Sequence, residues 1–347
     1  MRTRALMTGT AVLAAGVIAA GTGIAAASAS APAARAASTK AGTSGRSRSA
    51  EPKAAPAARV SEGICSAPAA YRTLAANLSA GIEAALHGRD GHHAVTVYDT
   101  VTKVSCQTGA TRHFDSASIV KAIILGALLR WHQESGKPLS AWEKEQTTLM
   151  ITESDNAAAT RLWNEVGMSR LQHFLKLAAM NETQLGQDGY WGLTQVTAHD
   201  EMLLLELLTV PNSVLTNSSR SYELGLMAKV VSAQRWGTPA GAPRDVTVQV
   251  KNGWLPDSTG WHINSIGAFT GKNKNYMIAV LTDDSPSEQY GIDTVEAVAR
   301  TVHRDLNGAG ATARLTASVA RTTTAPAVSA PAAPSPHALV PALPAAP

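Results

Sequence analysis

The chain has little cysteine, and little basic charge where a folded domain could use it. Among 347 residues only Cys65 and Cys106 are cysteines, and the histidines, His92-His93 included, lack H-x-x-x-H spacing with a third partner. Such a set gives no reason to expect a metal site. No cysteine stands just after the first apolar run, so the sequence offers no lipid anchor, and no second run is a candidate membrane span. The pI near 9.1 suggests an anionic partner. Yet residues 1–64 carry eight of the 30 Lys/Arg and only two of the 26 Asp/Glu, which leaves 22 against 24 for the remainder. The basicity belongs to the N-terminal stretch, and a nucleic-acid groove is not expected.

What is present begins with Arg2 and Arg4, followed by an uncharged, alanine-rich stretch that passes through Ala27-Ser28-Ala29. Gly16, Gly21 and Gly23 keep this run only weakly apolar, so residues 1–29 read as a signal peptide rather than a stable membrane anchor. Residues 30–64 are Ala/Ser/Pro-rich and cannot offset their ordering entropy, as expected of a disordered linker. The Ala/Pro-rich stretch 309–347 reads as a disordered tail. A folded domain is therefore expected at 65–308, secreted or associated with the cell wall, and monomeric. In an oxidising compartment Cys65 and Cys106 are expected to pair. Closing that loop is worth about 4 kcal/mol on the chain-entropy model.

Within the domain, residues 69–86 have helical spacing, and 94–98 and 103–107 read as two strands. From Ser118 the pattern turns helical over 118–133, 141–152, 155–166, 169–177 and 198–208. A further helix at 219–231 precedes strands at 246–251, 263–270 and 276–281, and a closing helix spans 288–306. The fold class is α+β: an antiparallel sheet assembled from both ends of the chain, flanked by terminal helices, with an all-α subdomain inserted. A site is expected at the seam between the two parts.

Ser118 and Lys121 stand three residues apart where small polar residues give way to an apolar run, so a helix would put hydroxyl and amine on one face. The helix start and burial both favour losing the lysine proton, which makes the pair a nucleophile and its base. Ser154-Asp155-Asn156 follows, then Lys251-Asn252-Gly253 at the end of a strand-like run. Each has a plainer reading, a helix N-cap and a strand end, but the three occur in one order. From about residue 71 to 306 the chain resembles the serine penicillin-recognising enzymes, most closely class A β-lactamases, whose signature is S-x-x-K, S-D-N and K-T-G. Asn252 departs from it, standing where the family has a hydroxyl residue, and the span between Lys121 and Ser154 is shorter than is typical.

The resemblance implies that Ser118 attacks an acyl carbon, Lys121 takes its proton and Ser154 relays a proton to the leaving nitrogen. Asn156 would hold Lys121 and the substrate amide, and Lys251 would place a cation near Ser154 and the substrate carboxylate. Asn252 could donate an amide hydrogen bond in place of the hydroxyl, with Gly253 beside it. The backbone N–H groups of Ser118 and Trp254 would form the oxyanion hole. Trp191, Tyr190, Trp254 and Trp261 could line a cleft wall, although such aromatics more often serve as packing. No cofactor is implied. The deacylating glutamate of class A has no clear counterpart: Thr183-Gln184-Leu185 fits the segment before its loop, which shortens that loop to residues 186–192. Asp188 and Glu182 are the candidate carboxylates, and slow release of product is expected. The implied substrate is a β-lactam. The alternatives are a DD-peptidase-type protein acting on cell-wall peptides and a non-catalytic ligand-binding domain of the same fold.

Overall fold

The computed structural model describes residues 58–308. The expected signal peptide, the tail and most of the expected linker lie outside the described residues. A seven-stranded, wholly antiparallel sheet runs in the order β1 (Arg59–Glu62), β2 (Cys65–Pro68), β4 (Ser105–Thr108), β3 (His92–Asp99), β9 (Lys274–Ser285), β8 (Trp261–Gly271) and β7 (Val246–Pro256). Its strands come from both ends of the domain, as expected. β1 falls inside the stretch whose composition reads as linker. Its four residues pair with β2, and the Arg59 side chain adds bonds to Ser66 and Ser105, partners that composition does not reveal. Cys65 and Cys106 face each other across β2 and β4 and form the expected disulfide.

Side chains alternate across the sheet and build one core on each face. On β9, Tyr276, Ile278 and Val280 pack with α1 (Arg72–Leu86) and α7 (Glu288–Asn307), while Met277, Ala279 and Leu281 pack with the helical subdomain. α7 buries Ile292, Val295, Val298, Ala299 and Val302, one helical stripe that leaves the other side polar. The subdomain is centred on α2 (Val120–Ser135), buried without a break from Val120 to Leu129, as a helix apolar on all sides must be. Around it stand α3 (Ala141–Thr152), α4 (Asn156–Leu177), α5 (Ala198–Thr209) and α6 (Asn217–Met227). A capping box of Ser140 and Glu143 starts α3, and Asp155 caps α4 by accepting from the N–H of Ala158 at 2.6 Å. The two helices expected at 155–166 and 169–177 are the two arms of α4, broken at Gly167 (φ 74°).

Two short strands, β5 (His113–Asp115) and β6 (Gln195–Thr197), form a separate antiparallel pair. They join the segment before Ser118 to the end of the shortened loop. Three residues are too few to show an alternating pattern, and neither strand was expected.

Candidate active site

The segment before Ser118 is fixed from two sides. Asn264 on β8 donates to the carbonyls of Asp115 (2.8 Å) and Ser116 (3.3 Å). The N–H of Ser116 donates to Thr194 O at 2.8 Å and its hydroxyl to Gly192 O at 3.3 Å. Ser118 itself lies in a 3-10 turn, Ala117–Ile119, and α2 begins directly after it at Val120, so the serine precedes the regular helix that the sequence pattern starts at 118. Ala117 before it has φ 46°, a left-handed conformation that a non-glycine residue holds only when its surroundings over-determine it.

Gly253 on β7 brings that strand against the turn: a Cβ there would lie 2.7 Å from Ser116 O, 2.7 Å from Ser118 N and 2.9 Å from Ile119 N. All three are backbone atoms, so only glycine permits the approach. Trp254 follows, but its indole meets Trp236 edge-on at 5.6 Å and packs with Trp261 against the core on the opposite face of the sheet. Neither Trp254 nor Trp261 therefore walls the cleft with its ring.

The two other motifs meet at one hydroxyl. Ser154 Oγ accepts from Lys121 Nζ at 3.1 Å and from Lys251 Nζ at 3.0 Å. Lys121 also donates to Ser154 O and to Asn156 Oδ1, both at 2.7 Å, and Lys251 to Asn252 O at 2.8 Å. Ser154 adopts φ 58°, the second strained residue at the site. Both lysines are fully buried. Burial pushes Lys251 down to about 7. Burial, then the charge of Lys251, hold Lys121 well below the ordinary lysine range, with Asp155 opposing. Among the described residues no hydrogen bond joins Lys121 to Ser118. Such bonds in free enzymes are commonly long and tighten once substrate binds.

Three sequence expectations change here. Asn252 spends both amide hydrogens on the carbonyls of Gln234 (3.0 Å) and Trp236 (2.9 Å), leaving none for a ligand, and its Oδ1 is buried without a partner. It braces β7 against the preceding loop rather than replacing a donor hydroxyl. Glu182 accepts from His113 through its carbonyl, and its carboxylate groups with His199 and Asp200, sharing no hydrogen bond with Ser118 or Lys121. Asp188 sits on the exposed turn of the loop with φ 53°, again without a bond to Lys121. Glu182 lies before the shortened loop and Asp188 on its exposed turn, and neither carboxylate is hydrogen-bonded beside Lys121.

What the loop lays there is Trp191. Its ring centroid is 4.8 Å from Lys121 Nζ, and its indole N–H donates to Thr160 Oγ1 at 3.1 Å. The sequence offers it as one of four aromatic candidates for a cleft wall and cannot choose among them, because its place depends on contacts far apart in sequence. The ligand-like groups His92/Asp283/Asp284 and Glu182/His199/Asp200 each bring atoms within 4.8 Å of one another. Asp283 already pairs with Arg112 and Asp200 with Thr183 and the N–H of Glu182, so protein partners account for them.

Residues 135–306 match the family model described as "Beta-lactamase enzyme family", a span that includes Ser154 and Lys251 and begins after Ser118 and Lys121. The protein named "Putative lipoprotein LppW" of Mycobacterium tuberculosis is 24% identical over 263 residues, 74% of this chain and 81% of that protein. Among solved structures, the beta-lactamase from Sphaerobacter thermophilus is similar in fold with a TM-score of 0.57 at 18% identity, over 66% of this chain and 95% of that one. TLA-3 extended-spectrum beta-lactamase gives a TM-score of 0.60 at 17% identity, over 66% and 98%.

Proposed function

We propose, from the match of residues 135–306 to the β-lactamase family model and from a fold shared with β-lactamases, that the chain is a β-lactamase-like serine hydrolase that forms an acyl-enzyme through Ser118. The observation that carries this reading is the Ser154 hydroxyl held between two buried lysine amines beside the turn of Ser118. A neutral Lys121 takes the Ser118 proton as Oγ attacks the lactam carbonyl. The backbone N–H groups of Ser118 and Trp254 receive the oxyanion. The C–N bond then breaks, and Ser154 delivers the proton to the leaving nitrogen while Lys251 keeps a positive charge beside it. Asn156 holds Lys121 in place. No cofactor enters the sequence of steps, and the partner is a small-molecule β-lactam or a wall peptide.

Hydrolysis of the ester is the slow half. Neither Glu182 nor Asp188 bonds to Lys121, and a missing general base is worth about 10²–10⁴-fold. The same feature suits a DD-peptidase-type protein, in which an adduct formed with a β-lactam, though not with its own peptide substrate, would likewise persist. The disulfide supports a place outside the cytoplasm, consistent with a signal peptide at residues 1–29 and with a mycobacterial relative named as a lipoprotein. The test is intact-protein mass spectrometry over time after mixing with a penicillin. One equivalent should add the full mass of the drug to Ser118 and persist. An unmodified protein, or an adduct that forms equally in Ser118→Ala, would overturn the assignment. Release of D-alanine from an acyl-D-Ala-D-Ala peptide without lasting adduct would favour the peptidase reading.

A further inference from the structure

One side of the Lys121 amine is covered by an aromatic face. The amine donates to Ser154 and Asn156 at one end of α4, and the Trp191 ring lies 4.8 Å from it. Trp191 is 5% exposed and is pinned to Thr160, one helical turn after Asn156 on the same face of α4. Lysine anchor and indole anchor are thus neighbours on a single rigid helix.

The loop that carries Trp191 has little freedom to withdraw it. Gly186 N–H donates to Thr194 Oγ1 at 3.0 Å, Ser116 binds Gly192 and Thr194, and β5 pairs with β6 immediately after. A Cβ on Gly186 would lie 2.0 Å from Tyr190 O, so the loop is folded tightly on itself. The indole offers no acceptor to a water molecule and its one N–H is already used. A water able to attack an ester on Ser118 must reach a base through a hydrogen bond, and on this side of Lys121 the ring occupies that approach.

We propose that Trp191 seals Lys121 from water on the loop side and thereby sets the lifetime of the acyl-enzyme, a positioning role that rests on the acyl-enzyme reading given above. The ring also favours the ammonium formed when Lys121 accepts the serine proton. It therefore helps acylation and hinders hydrolysis. The groups whose charge acts on Lys121 are Lys251, which lowers its proton affinity, and Asp155, which raises it. None of them is in the loop.

Two measurements separate this proposal from the function it rests on. The first follows decay of the Ser118 penicillin adduct by intact mass in the wild type, Trp191→Ala, Trp191→Phe and Thr160→Val. Decay at least tenfold faster in Trp191→Ala, near wild type in Trp191→Phe and intermediate in Thr160→Val is expected. The second needs no substrate: reductive methylation of the free protein, mapped by peptide mass, with Lys251 as internal reference. Methylation of Lys121 should rise about tenfold in Trp191→Ala while Lys251, which does not touch the ring, stays unchanged. Adduct lifetimes equal in all four proteins would overturn the proposal. If the wild type forms no adduct, the acyl-enzyme reading fails, and unchanged Lys121 methylation would then overturn the seal as well. If Trp191→Ala does not fold, as judged by its melting curve, Trp191→Phe and Thr160→Val decide by the same two measurements.

Discussion

Lys121 and Lys251 are fully buried, and among the described residues neither forms an ion pair. Burial disfavours the charged form of each, which is why Lys251 falls to about 7 and Lys121 well below its ordinary range. The proposed acylation needs them in opposite states, Lys121 neutral to accept a proton and Lys251 charged beside Ser154. Acylation should therefore rise with pH as Lys121 loses its proton and fall above about pH 7 as Lys251 does. Replacing Lys251 with Met removes the charge that depresses Lys121. The rising limb should then move to higher pH and the falling limb should vanish, at a cost of about 10²-fold in maximal rate for a lost charge stabilising the transition state. A second-order acylation profile from pH 5 to 10 reads all three effects. A rising limb that stays in place in Lys251→Met would mean that Lys251 carries no charge next to Lys121. The three motifs were legible in the sequence because each is local. Asn252 was not: its two hydrogen bonds run to loop carbonyls 16 and 18 residues earlier, and nothing in its neighbours fixes where that loop lies.

At the scale of elements, β7 and the turn holding Ser118 form one unit because Gly253 lets their backbones touch. In Gly253→Ala the new Cβ meets Ser116 O and two backbone N atoms below 3.0 Å, and no flexible side chain can yield. β7 must retreat from the turn, carrying the Trp254 N–H away from the Ser118 N–H. The expected loss is about 10²-fold in acylation, the scale of one oxyanion donor. The register of β7 with β8, where Gly253 faces Asn264, should keep the sheet intact. A stopped-flow acylation rate beside a melting curve checks this; equal loss of rate and of folded protein would count against an oxyanion role. The helices and the long strands were legible because each buries a face at its own period. α2 and α7 illustrate the two cases, one apolar all round and one striped. The 3-10 turn at Ser118, the β5–β6 pair and the aromatic plug had no such signature. Each is made by contacts between segments about 30 or more residues apart, such as Trp191 with Thr160 and Ser116 with Thr194.

Across the whole molecule, two further buried charges set how stability responds to pH. Glu201 on α5 and Glu223 on α6 are fully buried in the helical half, and no oxygen of either carboxyl has a hydrogen-bond partner. Burial raises both well above the ordinary glutamate range, with Asp200 adding to the effect at Glu201. The folded protein therefore holds two protons that the unfolded chain releases above pH 4.5. Stability from these groups is fully present below that pH and is lost progressively as pH rises towards their folded-state values. The buried lysines act in the other sense: the unfolded chain binds protons that they do not, so their contribution improves between about pH 7 and the ordinary lysine range. A wild-type melting curve would mix the two. The difference between the wild type and Glu201→Gln/Glu223→Gln cancels the lysines, because both proteins contain them. Glutamine keeps the size and the buried polarity but cannot ionise, so it removes only the pH-dependent part. Each unit of raised pKa costs about 1.4 kcal/mol once the pH has passed the folded-state value, and 1 kcal/mol moves the midpoint of a domain this size by about 2–4 °C. The double variant should gain on the wild type by several degrees at pH 8 and by much less at pH 5, read by calorimetry in matched buffers. An equal gain at both pH values would mean that both carboxyls are already ionised in the folded protein at pH 5, so that burial does not raise them.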